Sequence, residues 1–316
     1  TILREVAGSL LAWWGLPALP EGELDVRLSR RLASDLGFDE FVPVSVGRVN
    51  GTCFATPHPR GGGIQMAVVR ANGYIHIPAE REGFEAGEEV RVRLTVSPAE
   101  ISRTLICVGV RDPTITELGN CLADAGYLLH CCKASTMGAV LALRAKTCHA
   151  ASISLPETEA AWNDQVLRYL PGVDLLRVQV ARTELGLASA GDLDAGNPAS
   201  FRFINQPKGT AARVFLDAWL AREGIDAGII TGYGHEVRTP AAVAAAVGNG
   251  FADAGVCPAA MAREAGLRFT PLGYETRYLL VRKELAADEG VASLVRAARS
   301  PEFEEHLRSR ERCRAG

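Results

Sequence analysis

Four short runs place hydroxyl, glycine and small residues just ahead of apolar stretches of helical period: Asp112-Pro113-Thr114, Ser135-Thr136-Met137-Gly138, Lys208-Gly209-Thr210 and Arg238-Thr239-Pro240. Each reads as the start of a helix. A helix start leaves backbone N–H groups without intrahelical partners and carries the positive end of the macrodipole. A nearby hydroxyl adds one more donor, so several such starts facing one cleft suit an oxyanion. Ser, Thr and Asp are also the usual N-cap residues, so any one run by itself reads first as a structural cap. Only convergence of the runs would carry information. Gln206 lies just ahead of the third run, and Arg213 lies one turn into its helix, where a guanidinium either faces an anion or pairs with a surface carboxylate.

Other reactive side chains point to fewer chemistries. Arg60-Gly61-Gly62-Gly63 is either a loop bringing backbone N–H groups and one charge to an anion, or a plain hairpin loop. The six histidines, His58, His76, His130, His149, His235 and His306, show neither HxH nor HExxH spacing, so no metal site is expected. His149 opens a strand and either reaches the cleft or is a satisfied buried histidine. Tyr274 and Glu275, followed by Arg277 and Tyr278, fall where a late strand returns, which would let Tyr274 touch a ligand from a hinge. There is no GxSxG or GxGxxG, and Lys208-Gly209-Thr210 has the wrong order for a phosphate-binding P-loop. No catalytic residue is assigned. The eight cysteines include no CxxC, and Cys107, Cys131, Cys132 and Cys257 lie in apolar runs, so reduced thiols are expected.

The elements that must position these residues fall into three stretches. With 316 residues, 47% hydrophobic and 22% charged, the chain is long enough for two folded domains. Its 34 basic against 37 acidic residues lack the excess that nucleic acid binding needs. The longest apolar run, Ala241 to Val247, is far short of the roughly 18 to 20 residues that cross a bilayer. No secretory signal is visible in this sequence, a processed start stays open, and the reduced thiols make the cytoplasm the expected location. Residues 1–22 read as a helix leading in, with Trp13 and Trp14 suited to packing on a domain upstream. Residues 23–98 alternate in short runs separated by Gly, Asn and Pro, and Asn50-Gly51 signals a tight hairpin, so a small β-barrel or sandwich is expected. Residues 99–316 alternate apolar runs with helices, the rhythm of an α/β domain.

Thr104 to Arg310 resembles the two-lobed type II periplasmic-binding-protein fold, in the variant found in molybdenum-cofactor proteins and related to LysR effector domains. The segments that carry the likeness are Lys133 to Leu143, Phe203 to Arg213, and Val243 to Val247 leading to Gly250 to Gly255. The resemblance implies a ligand between two lobes joined by crossing strands, expected near 178–187 and 267–274. Where the family reads glycine, serine, glycine, threonine, arginine, this chain has Gly209, Thr210, Ala211, Ala212 and Arg213. Residues 23–96 are similar to the C-terminal β-domain of molybdopterin molybdenumtransferases, on Glu40 to Val44, Ala55 to Gly63, Val69 to Pro78 and Gly83 to Val90.

That second likeness implies a parent enzyme that inserts molybdenum into molybdopterin with magnesium, using a catalytic domain upstream that this chain lacks. The expected function is therefore binding of a small anion, molybdate, tungstate or a pterin fragment, with no cofactor in this chain and no nucleic-acid or membrane partner. Two alternatives stand beside it: part of an active molybdenumtransferase, or a LysR-like effector module. A monomer or weak dimer is expected.

Overall fold

Period-two alternation builds strands from residue 23 onward, because successive side chains of a strand point to opposite faces. The computed structural model describes residues 9–11, 13–15, 22–58, 65–110, 113–157, 162–192 and 201–314. The first strands are β1 (Glu23–Leu28), β2 (Leu32–Ala33), β3 (Glu40–Val49), β4 (Thr52–Pro57), β5 (Gly73–Ile77), β6 (Gly83–Phe84) and β7 (Glu89–Leu94). Five of them close into a barrel in the order β1-β4-β3-β5-β7. β1 completes the ring by pairing antiparallel with β7 and parallel with β4, which leaves no open edge. Val26, Leu28, Val44, Val46, Ile75, Val92 and Leu94 fill the interior. On the outer face, Arg91 donates from Nε and Nη2 to the two oxygens of Asp25 at 2.9 and 3.2 Å. Asn50 and Gly51 both take positive φ, 48° and 80°, as the tight β3–β4 turn demands.

The change of rhythm near residue 100 marks a change of layer. The helix Pro98–Ser102 carries a capping box, with the Ser97 hydroxyl accepting from the Glu100 amide and the Glu100 carboxylate accepting from the Ser97 amide. Strands β8 (Thr104–Gly109), β9 (Leu128–Lys133) and β10 (Ala150–Pro156) follow, all parallel, with β8 between the other two. Helices Pro113–Asp124 and Thr136–Arg144 connect them. The connection from β8 runs outward to β9, and the next one runs back across β8 to β10. Right-handed crossovers therefore place the two helices on opposite faces of the sheet.

The chain divides into two compact units, 1–152 with 172–177 and 280–303, and 153–171 with 178–279 and 304–316. The first unit thus contains both the barrel and the first α/β lobe. β11 (Leu175–Ser189) enters the second unit at Val178. Inside that unit β12 (Phe203–Ile204) runs parallel to β13 (Ala254–Pro258), which pairs antiparallel with β11. β14 (Arg268–Arg282) leaves the unit after Leu279. Its core gathers Leu185, Leu187, Phe203, Leu216, Leu220 and Val256 under the helix Ala211–Arg222. The architecture is β plus α/β, a barrel followed by a two-lobed α/β domain. Among the described residues no helix is long and apolar enough to cross a membrane.

Candidate ligand-binding site

In a parallel sheet the strand ends that feed helices lie along one edge, where open α/β folds take ligands. In the first unit that edge carries the ends of β8 and β9. Thr114 is buried in the first turn of Pro113–Asp124. Ser135 caps Thr136–Arg144, its Oγ accepting from the Gly138 amide at 3.1 Å, with Thr136, Met137 and Gly138 half-buried behind it. Ser152, on β10 in register with Gly109 of β8, has a buried hydroxyl with no hydrogen-bond partner. Asp112, and the whole loop Arg60, Gly61, Gly62 and Gly63, lie outside the described residues.

The second unit presents its own helix starts. After β12 the chain runs through buried Gln206 and exposed Lys208 and Gly209 to Thr210. Thr210 donates from its hydroxyl to the Pro207 carbonyl at 2.9 Å and accepts from the Arg213 amide at 3.3 Å. Ala211 and Ala212, where the sequence departs from the family pattern, are buried. Thr239 caps the helix Pro240–Gly248 and accepts from the Ala242 amide at 3.2 Å.

Arg213 and Tyr274 are engaged by neighbours within the second unit. The Arg213 side chain is only 3% exposed; it donates from Nε to Asp217 at 3.1 Å, and Glu236 lies 3.8 Å from it. Its guanidinium stacks 3.9 Å over the ring of Tyr233, whose hydroxyl donates to Asp217 at 2.6 Å. Burial opposes the charge, but the bonds to Tyr233 and Asp217 outweigh it and hold the guanidinium more firmly protonated than usual. Of the two roles open to Arg213, the carboxylate pair is the one present. Tyr274 lies 3.5 Å under the guanidinium of Arg182 and donates to Glu184 at 3.3 Å. Arg182 also clasps Glu157 through Nε and Nη2, which holds that carboxyl below its ordinary range.

His149 does not join the helix starts. It precedes β10, at the end of the sheet opposite the helix-bearing edge, and both of its ring nitrogens are taken by backbone groups, so it is a satisfied buried histidine. The first unit thus brings Thr114 and the run from Ser135 to Gly138 to the helix-bearing strand ends. The second unit gathers Gln206, Lys208, Gly209 and Thr210 in one turn, with Thr239 at a separate helix start. Sequence reasoning missed Tyr233, Asp217 and Arg182, because a ring and two charges with no motif spacing signal nothing until the chain folds. Among the described residues no three His, Cys, Asp or Glu side chains gather in a way that could hold a metal ion.

Comparison with known proteins accounts for both layers of the fold. The MoeA C-terminal region, domain IV, matches residues 25–95. The crystal structure of the molybdopterin biosynthesis moeA protein from Pyrococcus horikoshii OT3 is 32% identical over 23% of this chain and 18% of its own, with a TM-score of 0.21. PhnD1 from Prochlorococcus marinus (MIT 9301), solved with methylphosphonate, matches 65% of this chain and 89% of its own at 12% identity and a TM-score of 0.48. The uncharacterized protein YvgK of Bacillus subtilis (strain 168) is 32% identical over 130 residues, 38% of this chain. The chain spans about two-fifths of that relative, 41% of its length. The PBP superfamily domain matches residues 121–299, more than half of the chain. The barrel is therefore a MoeA C-terminal-like β-domain, the α/β part has the two-lobed type II periplasmic-binding-protein fold, and the chain belongs to the PBP superfamily.

Proposed function

We propose that the α/β domain binds a small oxyanion, molybdate or tungstate, at its capped helix starts. The observation that carries this reading is the state of the capping hydroxyls. Ser135 in the first unit and Thr239 in the second each accept a bond from their own helix, so each hydroxyl proton remains available to donate. The first unit also holds the buried Ser152 hydroxyl, which has no hydrogen-bond partner, and each helix start adds backbone amides. A ligand that only accepts suits hydroxyls whose protons remain to be donated. The adjoining MoeA-type barrel supplies the link to molybdenum, which is association rather than geometry.

Thermal unfolding of the chain with molybdate, tungstate, sulfate and phosphate tests this. A ligand at 100 times its Kd that binds only the folded state adds about 2.7 kcal/mol. The expected result is an upward shift with molybdate or tungstate, larger than with sulfate or phosphate, that shrinks in Ser135→Ala and in Thr239→Ala. Equal shifts with all four anions would mean an unselective oxyanion site and sink the molybdate or tungstate reading; no shift with any of them would sink the oxyanion reading and redirect the search to pterin fragments. A second reading, favoured by the match to MoeA domain IV, makes the barrel part of a molybdenumtransferase. Its test is molybdenum insertion by the chain mixed with a MoeA-type catalytic domain.

A further inference from the structure

Strand β3 of the barrel lies hard against β8 of the first lobe. A Cβ added to Gly47 would come within 2.7 Å of Ile106 Cγ1 and 3.0 Å of the Thr104 carbonyl. Beside Ile106 stands His149. The Ile106 amide donates to His149 Nδ1 at 2.9 Å, and His149 Nε2 lies 2.9 Å from the Arg48 carbonyl at the far end of β3. These partners dictate the tautomer. An amide N–H only donates and a carbonyl only accepts, so Nδ1 must be bare and Nε2 must carry the hydrogen. A proton arriving at Nδ1 would set one N–H against another.

We propose that the junction of barrel and first lobe is a proton-operated clasp, in which His149, held as the neutral Nε2–H tautomer between the Ile106 amide and the Arg48 carbonyl, releases when Nδ1 is protonated. A second contact across the same junction has the same character. The buried Ser45 hydroxyl of β3 lies 2.8 Å from His58 Nε2 and 2.8 Å from Nδ1 of His130 on β9. One hydroxyl proton serves two nitrogens, so one ring accepts it while the other donates. With the clasp closed, the barrel and first lobe move as one body; acid frees the barrel.

The charges around the clasp are few and identifiable. Asp288, which caps the helix Glu289–Ala298, favours the protonated ring of His149, while burial, the larger effect, disfavours it. Asp288 and Arg48 also line a cleft of about 440 Å³ with Asn50, Ser102, Glu284 and Leu285. Glu284 is paired there with Lys146 and Arg282. Cys107, on β8, and Cys148 are buried thiols pushed above their ordinary range, hence neutral. On His130 the charge that bears is that of His58, and Arg30 donates to the neighbouring Pro57 carbonyl. The helix Pro113–Asp124 packs on the other face of β9, with Gly119 against Leu129, so its carboxylates stand across the strand from His130. Arg144, on the helix Thr136–Arg144, is exposed.

Hydrogen exchange of the full chain from pH 7.5 to 5, corrected for intrinsic rates, tests the clasp at the Ile106 amide. Amides of Leu216 and Val256 in the second unit report whether the chain stays folded. Below the midpoint Ile106 should lose about tenfold protection per pH unit while those controls hold. His149→Gln offers a carboxamide oxygen to Ile106 and an NH2 group to Arg48 without titrating, so its Ile106 protection should not vary with pH. An identical pH response in wild type and His149→Gln overturns the proposal. If that variant does not fold, ring 15N spectra of the wild type decide. A bare Nδ1 at neutral pH, titrating together with Ile106 protection, upholds the clasp, and a protonated Nδ1 or an unmoved Ile106 overturns it.

Discussion

At the scale of single residues, the described histidines and arginines inside the fold act mainly as structural connectors. Burial and the charge of His58 push the His130 pKa down to about 4, from an ordinary value of about 6.5. The unfolded chain therefore takes up this proton first as pH falls. The stability held by the neutral ring is complete above about pH 6.5, declines below it by up to about 1.4 kcal/mol per pH unit, and is lost near pH 4. Urea midpoints measured from pH 7 to 4 should fall accordingly, and His130→Asn should flatten that part of the profile; an unaltered profile refutes the assignment. Arg213 gives a second case. Arg213→Ala removes a buried guanidinium from Asp217 and Tyr233 and should cost about 1 to 3 kcal/mol, with Arg213→Lys restoring little because an ammonium cannot make the planar stack. Should Arg213→Ala leave urea stability intact but abolish the molybdate shift, the residue belongs to the ligand and not to the framework. The Arg213 carboxylate pair was one of two roles open beforehand, at the i,i+4 spacing of a helix, whereas Ser45 and His130 lie 85 residues apart and no local pattern announces their meeting.

At the scale of elements much more was legible, because local physics decides it. Asn50-Gly51 had to turn, and period-two alternation from Glu23 to Leu94 had to build strands with one apolar face. The helix starts after β9 and β12 were readable for the same reason, since a hydroxyl ahead of an apolar helical stretch satisfies an orphan amide. Strands β11 and β14 were only partly visible. Each runs 15 residues, and neither keeps one environment along its length, so exposed, half-buried and buried positions follow one another without a period. The caps make a quantitative prediction of their own. Thr210 both accepts from Arg213 and donates to Pro207, whereas the described bond of Thr239 is the single one from Ala242. Chemical denaturation should show Thr210→Ala costing about 1 to 2 kcal/mol and Thr239→Ala about 1 or less; the reverse order would mean that the Pro207 bond contributes nothing.

At the scale of the whole molecule, the division of the chain does not follow the change of rhythm near residue 100. Closing the barrel satisfied its own edges, yet β3 still presents Ser45, Gly47 and the Arg48 carbonyl to β8 and β9, and the lobe answers with Ile106, His130 and His149. The junction buries Ser45 and His149, which is costly unless these groups remain paired. The cooperative unit is then the barrel together with the first lobe. Native-state hydrogen exchange should show β3, β8 and β9 amides opening at one common free energy, distinct from β12 and β13 of the second unit. Removing residues 1–98 sharpens the test, since it strips the Ser45 and Arg48 partners from His130 and His149 and the Gly47 contact from Ile106. The shortened chain should lose the protection of β8 and β9 while β13 and the helix Ala211–Arg222 keep theirs. A shortened chain whose β8 and β9 exchange as slowly as in the intact protein would show that the barrel is only tethered to the lobe, and would remove the ground on which a proton could uncouple them.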